Sequence, residues 1–186
     1  MQTKIHIIGS VGSGKTTFAR RLSEKTGIAC FELDNVVWKR RENEEIHDVK
    51  RTPEERDNYF ATLLNREAWI IEGVHSFDWV MKSIQEADVI LVIDTKYFVR
   101  IYRIIRRYLL QKLGREKANY VPSLKIFWKM FKWNHQFEKE KVAILKKLEM
   151  YNDNVVSLPN NKALEKYLVG EKINGVRDGF KKAGGI

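Results

Sequence analysis

Gly9, Gly14, Lys15 and Thr16 stand at the spacing G-x-x-x-x-G-K-[ST], within the stretch GSVGSGKT that carries a further glycine at Gly12. Residues of these types in this order bind polyphosphate. Glycines let the backbone curl until successive amides point at phosphate oxygens, and the positive end of a following helix adds to the attraction. Lys15 then neutralises the β- and γ-phosphates while the Thr16 hydroxyl ligates magnesium. The expected nucleotide-binding set is Gly9, Gly12, Ser13, Gly14, Lys15, Thr16 and Thr17, with ATP and Mg2+ as the ligands. A glycine-rich turn with a chance lysine is the alternative, disfavoured by the strand pattern before the loop and the helix pattern after it.

Two carboxylates extend this chemistry. Asp34 and Glu72 each close a predicted inner strand, so in a doubly wound sheet both reach the crevice that holds the loop. Glu72 suits the metal, through water, and Asp34 suits an acceptor hydroxyl, which it orients or deprotonates. Capping a helix or a turn is the competing use for each.

The elements that must position these residues follow from patterning. Lys4 to Ile8 is a β-branched run ending at Gly9, and Thr16 onward has amphipathic helical spacing that closes near Gly27. Ala29 to Leu33 reads as a second strand, and the charged stretch from Lys39 to Arg51 as a mobile loop. Thr52-Pro53-Glu54-Glu55 is a helix start with a capping box, for a helix running to about Asn65. Trp69 to Gly73 and Asp88 to Asp94 are nearly continuous apolar runs, as expected of parallel strands covered on both faces. In Tyr97 to Leu113 the spacing predicts a helix with Phe98, Ile101, Tyr102, Ile105 and Leu109 on one face and Arg100, Arg103 and Arg107 on the other. A long helix from Ser123 to about Tyr151, a fifth strand at Asn154 to Leu158 and a last helix at Lys162 to Val169 complete the pattern. The expected fold is a three-layer α/β P-loop NTPase fold: a five-stranded parallel sheet, helices on both faces and a short helical lid. It forms a single domain over residues 1–169, with the lid near 108–135 and a flexible tail at 170–186.

Composition narrows the class. At 186 residues the chain suits one domain with a buried core, and 44% hydrophobic with 31% charged residues is a globular balance. The longest apolar run, Val89 to Ile93, falls far short of the roughly 20 residues of a spanning helix. Strand and loop begin too early for a signal peptide, and the lone Cys30 reads as a strand packing position, so a cytoplasmic location is expected. A net charge of +10 points to an anionic partner. His6, His47, His75 and His135 show no metal-ligand spacing, with one another or with Cys30. His75 follows Glu72 closely enough to touch an acceptor, although ordinary loop hydrogen bonding also accounts for it.

The loop GSVGSGKT, the run FELDNVVW, the strand WIIEGVHS and the segment DVILVIDTKYFVRIYRIIRR together resemble the DNA topology modulation (FlaR-type) proteins, small P-loop relatives of adenylate kinase. The resemblance covers roughly residues 3 to 168. It implies a kinase-like core with a short lid that begins at an R-I-x-x-R spacing, which Arg103, Ile104 and Arg107 match. Those arginines would close over the transferring phosphoryl group; a solvated basic helix face is the alternative. The chain departs from the family pattern at Glu72, where aspartate is usual, and at Lys125, Lys129 and Lys132, where relatives carry arginines. An adenylate kinase proper would place an arginine soon after strand two. Asp34 there favours an uncharged hydroxyl acceptor, while Lys39, Arg40 and Arg41 nearby would favour a nucleotide monophosphate.

The catalytic set is therefore Lys15, Asp34, Arg103 and Arg107, and the metal set Thr16 and Glu72. Two functions compete. One is an ATP-dependent small-molecule kinase acting on a nucleoside, nucleotide or similar acceptor. The other is a nucleotide-dependent DNA-binding regulator, in which Phe127, Trp128, Phe131, Trp133 and Phe137 stack bases between lysines. The helical spacing of Phe127, Met130 and Phe131 favours core packing for these aromatics, and a membrane-surface role for the same helix has the least support.

Overall fold

A computed structural model describes residues 3–39, 49–74, 77–116, 123–168 and 170. Chain order runs β1 (Lys4–Gly9), α1 (Lys15–Thr26), β2 (Cys30–Glu32), α2 (Leu33–Val37), β3 (Trp38–Lys39), β4 (Val49–Lys50), α3 (Pro53–Leu64), β5 (Trp69–Glu72), α4 (Phe77–Glu86), β6 (Val89–Ile93), α5 (Tyr97–Lys112), α6 (Leu124–Tyr151), β7 (Val155–Leu158) and α7 (Asn161–Leu168). The main sheet is five-stranded in the order β2-β5-β1-β6-β7, and each of its pairings is parallel. β1 lies at its centre, so the chain leaves Gly9 between the carboxyl ends of β5 and β6.

Strand alternation divides the core into two layers. Ile5 and Ile7 of β1, Ile70 of β5 and Val89, Leu91 and Ile93 of β6 pack with Phe18, Ala19 and Leu22 of α1 and with Ala163 and Leu164 of α7. Ile8, Trp69, Ile71, Ile90 and Val92 face the other way, against residues of α2, α3, α4 and α6. His6 belongs to that second face; full burial lowers its pKa to about 3, so its imidazole is neutral at physiological pH. It borders a small apolar cavity with Leu33, Val74, Val80 and Ile84.

Local signals set most boundaries. Thr52 accepts a hydrogen bond from the Glu55 amide while Glu55 Oε2 accepts from the Thr52 amide at 2.9 Å, the expected capping box. Ser123 caps α6 through the Ile126 amide. α2 and α4 are not among the expected elements: α2 is a short five-residue helix, whereas α4 is amphipathic, with Val80 and Ile84 buried four residues apart. In the stretch read as a mobile loop, Trp38–Lys39 and Val49–Lys50 pair as a small antiparallel ladder, and residues 40–48 lie outside the described residues.

One expectation needs correction. β2 is shorter than Ala29 to Leu33 and sits at the sheet edge, so Asp34 is not the end of an inner strand; it lies in the first turn of α2. In α5 the grouping of faces holds, and the apolar face is the outward one: Phe98 is 81% exposed and Tyr102 65%, whereas Arg100 and Ile104 are buried. The basic face turns inward because it meets the phosphate loop and α6, which supply carbonyl and carboxylate acceptors. Of the aromatics in α6, Phe137 is buried, Phe127 and Phe131 stack with each other and Phe127 with Tyr108, and Trp128 and Trp133 remain exposed.

Candidate nucleotide site

The loop between β1 and α1 curls through two glycines with positive φ, Gly12 at 75° and Gly14 at 95°. Gly12 is required for a second reason: a methyl group there would lie 2.8 Å from the Arg100 carbonyl oxygen and 3.2 Å from Ile104 Cγ1. α5 therefore closes directly on the loop. Ser13 is fully buried, and its carbonyl accepts from Thr95 Oγ1 at 2.9 Å and from Arg103 Nη1 at 2.8 Å. Arg103 Nη1 also reaches the Gly12 carbonyl at 3.3 Å. Lys15 and Thr16 open α1, whose free amides face the loop.

Glu72 and Thr16 meet here. Thr16 Oγ1 donates to Glu72 Oε1 at 2.8 Å, and Lys15 Nζ is 3.9 Å from Glu72 Oε2. Oε2 is buried and has no hydrogen-bond partner among the described residues. Burial raises the Glu72 pKa above its ordinary value; the Lys15 ammonium and the Thr16 hydroxyl oppose the rise, and Glu32 and Asp34 add to it. A buried carboxylate oxygen without a hydrogen-bond partner, next to the Thr16 hydroxyl, offers the oxygen ligands that suit a hard divalent cation such as Mg2+, while the Lys15 ammonium is not a ligand and suits the phosphates.

Asp34 is exposed and near enough to act electrostatically on Glu72. Glu32, which sequence reasoning passed over, stands directly across from Glu72 in the β2–β5 register and is held by Arg20 at 3.1 and 2.5 Å. Its signal was available as the last strand residue before Leu33-Asp34. Of the two lid arginines, Arg103 lies at the loop, whereas Arg107 Nη2 approaches Met130 Sδ on α6 at 3.5 Å. Thr17 is exposed on α1, and His75, Arg40 and Arg41 lie outside the described residues. Cys30 is half-buried with its thiol pushed up to about 12, chiefly by burial and then by Glu72 and Glu32, in keeping with a packing position.

A parallel sheet whose central strand runs into such a loop, with a buried carboxylate on the neighbouring strand, defines a P-loop NTPase of the kinase fold. The family model described as AAA domain matches residues 5–118, and the chain belongs to that family. Among solved structures, a shikimate kinase from Acinetobacter baumannii in complex with shikimate is similar at 14% identity and TM-score 0.54, covering 94% of this chain and 97% of the other. An unliganded sugar kinase from Janibacter sp. is similar at 20% identity and TM-score 0.49, covering 91% of this chain and 94% of the other. At these identities the likeness is one of fold. No curated protein matches the chain.

Proposed function

We propose that this protein is an ATP-dependent small-molecule kinase, within the topology-modulation branch that its sequence resembles. The contact of Thr16 Oγ1 with Glu72 Oε1 carries the reading, because it joins the phosphate loop to a buried carboxylate across the sheet. In this scheme the loop amides and Lys15 grip the β- and γ-phosphates. Thr16 and Glu72 would hold Mg2+, which supplies charge neutralisation between those phosphates. The acceptor hydroxyl attacks the γ-phosphorus, its proton passes to the Asp34 carboxylate, and the bond to the β-phosphate oxygen breaks to leave ADP. Arg103 is already at the loop and would offset the equatorial charge. Arg107 would join it by swinging from Met130 toward the transferring group.

An uncharged hydroxyl acceptor is favoured by the exposed carboxylate of Asp34 beside Glu32 and Glu72, since three carboxylates repel a second phosphate. The deciding experiment is an acceptor screen with magnesium ATP, covering nucleosides, their monophosphates and other small alcohols. One class should stimulate ADP formation. Asp34→Asn should then lose transfer by about two orders of magnitude or more, the scale of a lost general base, while ATP affinity stays near wild type. Unchanged turnover would remove Asp34 from the mechanism.

The exposed Trp128 and Trp133, beside exposed Lys125, Lys129 and Lys132, favour the DNA-binding regulator as second reading. ATP consumption stimulated by DNA and by no small acceptor would establish it in place of the kinase.

A further inference from the structure

α6 sends three polar side chains from one face, Asn134, Glu138 and Lys141, and each reaches a part that frames the phosphate loop. Ser10 Oγ, inside the loop, donates to Asn134 Oδ1 at 3.1 Å across 124 residues of sequence. Glu138 pairs with the buried guanidinium of Arg100, the residue whose carbonyl abuts Gly12. Lys141 Nζ bonds Asp94 Oδ1 at 3.1 Å, just past the end of β6.

Asn134 is the odd member, because it is fully buried and its Nδ2 has no hydrogen-bond partner among the described residues. Leaving a buried amide group unpaired is destabilising, and an apolar side chain of similar size would dock α6 without that penalty. Helix packing alone thus gives no reason for asparagine here. Ser13 Oγ, in the same loop, is likewise buried without a partner among the described residues. Asn134 Nδ2 and Ser13 Oγ thus join Glu72 Oε2 and the Arg100 guanidinium among the unsatisfied polar groups around a loop built for an anion, and Asn134 is the one supplied by α6.

We propose that Asn134 is a positioning residue of the nucleotide site, whose amide holds the Ser10 corner of the loop so that α6 docking and polyphosphate binding reinforce each other. The proposal rests on the nucleotide-binding reading above. Binding linkage is reciprocal, so if α6 shapes the loop, nucleotide must in turn steady α6.

The test is calorimetric titration of magnesium ATP into wild type, Asn134→Leu, Ser10→Ala and the double variant, with amide hydrogen exchange followed over residues 130–138. Each single change should weaken binding about tenfold, the scale of one buried polar contact. The double should be about as weak as the worse single, because both remove the same contact. Magnesium ATP should slow exchange in α6 of wild type, and that protection should shrink in Ser10→Ala. Wild-type affinity in Ser10→Ala, losses that multiply in the double, or undiminished protection would overturn the proposal. If Asn134→Leu does not fold, Ser10→Ala and the exchange data decide alone. Wild type that fails to bind magnesium ATP would instead remove the nucleotide reading itself, an outcome distinguishable because it needs no variant.

Discussion

Glu72 concentrates the site's electrostatics in one side chain. Its pKa lies above the ordinary 4.5 because burial penalises the anion more than Lys15 and Thr16 support it. The folded protein therefore holds a proton at pH values where the unfolded chain has released it. The contribution of Glu72 to stability is greatest below 4.5 and declines as pH rises from there through the folded value. Glu72→Gln keeps an acceptor for Thr16 and removes the buried charge. Its melting temperature should exceed wild type at neutral pH, converge with it in acid, and come with a loss of magnesium-dependent ATP affinity. Melting curves across pH check the first two outcomes; a variant less stable at every pH would mean that Lys15 outweighs burial. The loop residues around Glu72 were legible from sequence, since Gly9 to Thr16 is contiguous and its backbone geometry is local. Glu72 was legible as the acidic end of an apolar run. Asn134 was not, because nothing within a few residues marks its contact with Ser10, and Glu32, although it ends a strand, carries no local sign that it stands across from Glu72.

At the scale of elements, α5 separates pattern from placement. Its sixteen residues YFVRIYRIIRRYLLQK contain no acid, and their spacing separates an apolar from a basic face without saying which turns inward. Packing decides that, since Arg100 finds Glu138 and flanking aromatic rings while Arg103 finds loop carbonyls. Tyr102→Lys or Leu109→Lys should therefore change stability by no more than about 0.5 kcal/mol, as surface changes do. Ile104→Ala should cost about 2–5 kcal/mol through cavity formation, and it should also weaken nucleotide binding because Ile104 abuts Gly12. Denaturant unfolding of the three variants checks both. The reverse ranking would mean that α5 buries its apolar stripe in solution. By contrast, the capping box at Thr52 and the Ser123 cap were readable at once, because each is closed by residues three apart.

For the whole molecule, the consequence of a preformed loop is linkage between ligand and fold. Magnesium ATP at about a hundred times its dissociation constant should stabilise the protein by about 2.7 kcal/mol, a rise of several degrees in melting temperature. Lys15→Ala should abolish that rise and also lower the ligand-free melting temperature at neutral pH, because it removes the cation that offsets the buried Glu72 carboxylate. The net charge of +10 adds a separate expectation for the second reading. Any DNA affinity should fall steeply as salt rises from 50 to 200 mM, since phosphate contacts release counterions. Salt-independent DNA binding, or none, would leave the charge to solubility and to small anionic ligands. Among the described residues no helix is long and apolar enough to cross a membrane.

The sequence by itself determined the phosphate loop, the strand and helix that flank it, the capped helices and the five strands of the sheet. All of these depend on backbone preferences and periodicities expressed within a few residues. Only the tertiary structure decided that β2 lies at the edge with Asp34 in a helical turn, that Glu32 faces Glu72, that α5 turns its arginines inward, and that Asn134 touches Ser10. The Asn134–Ser10 contact joins residues 124 positions apart, and the Glu32–Glu72 pairing sets one strand beside another. Their energies arise only after the strand order has brought distant segments together, so no local stretch of chain carries their signature.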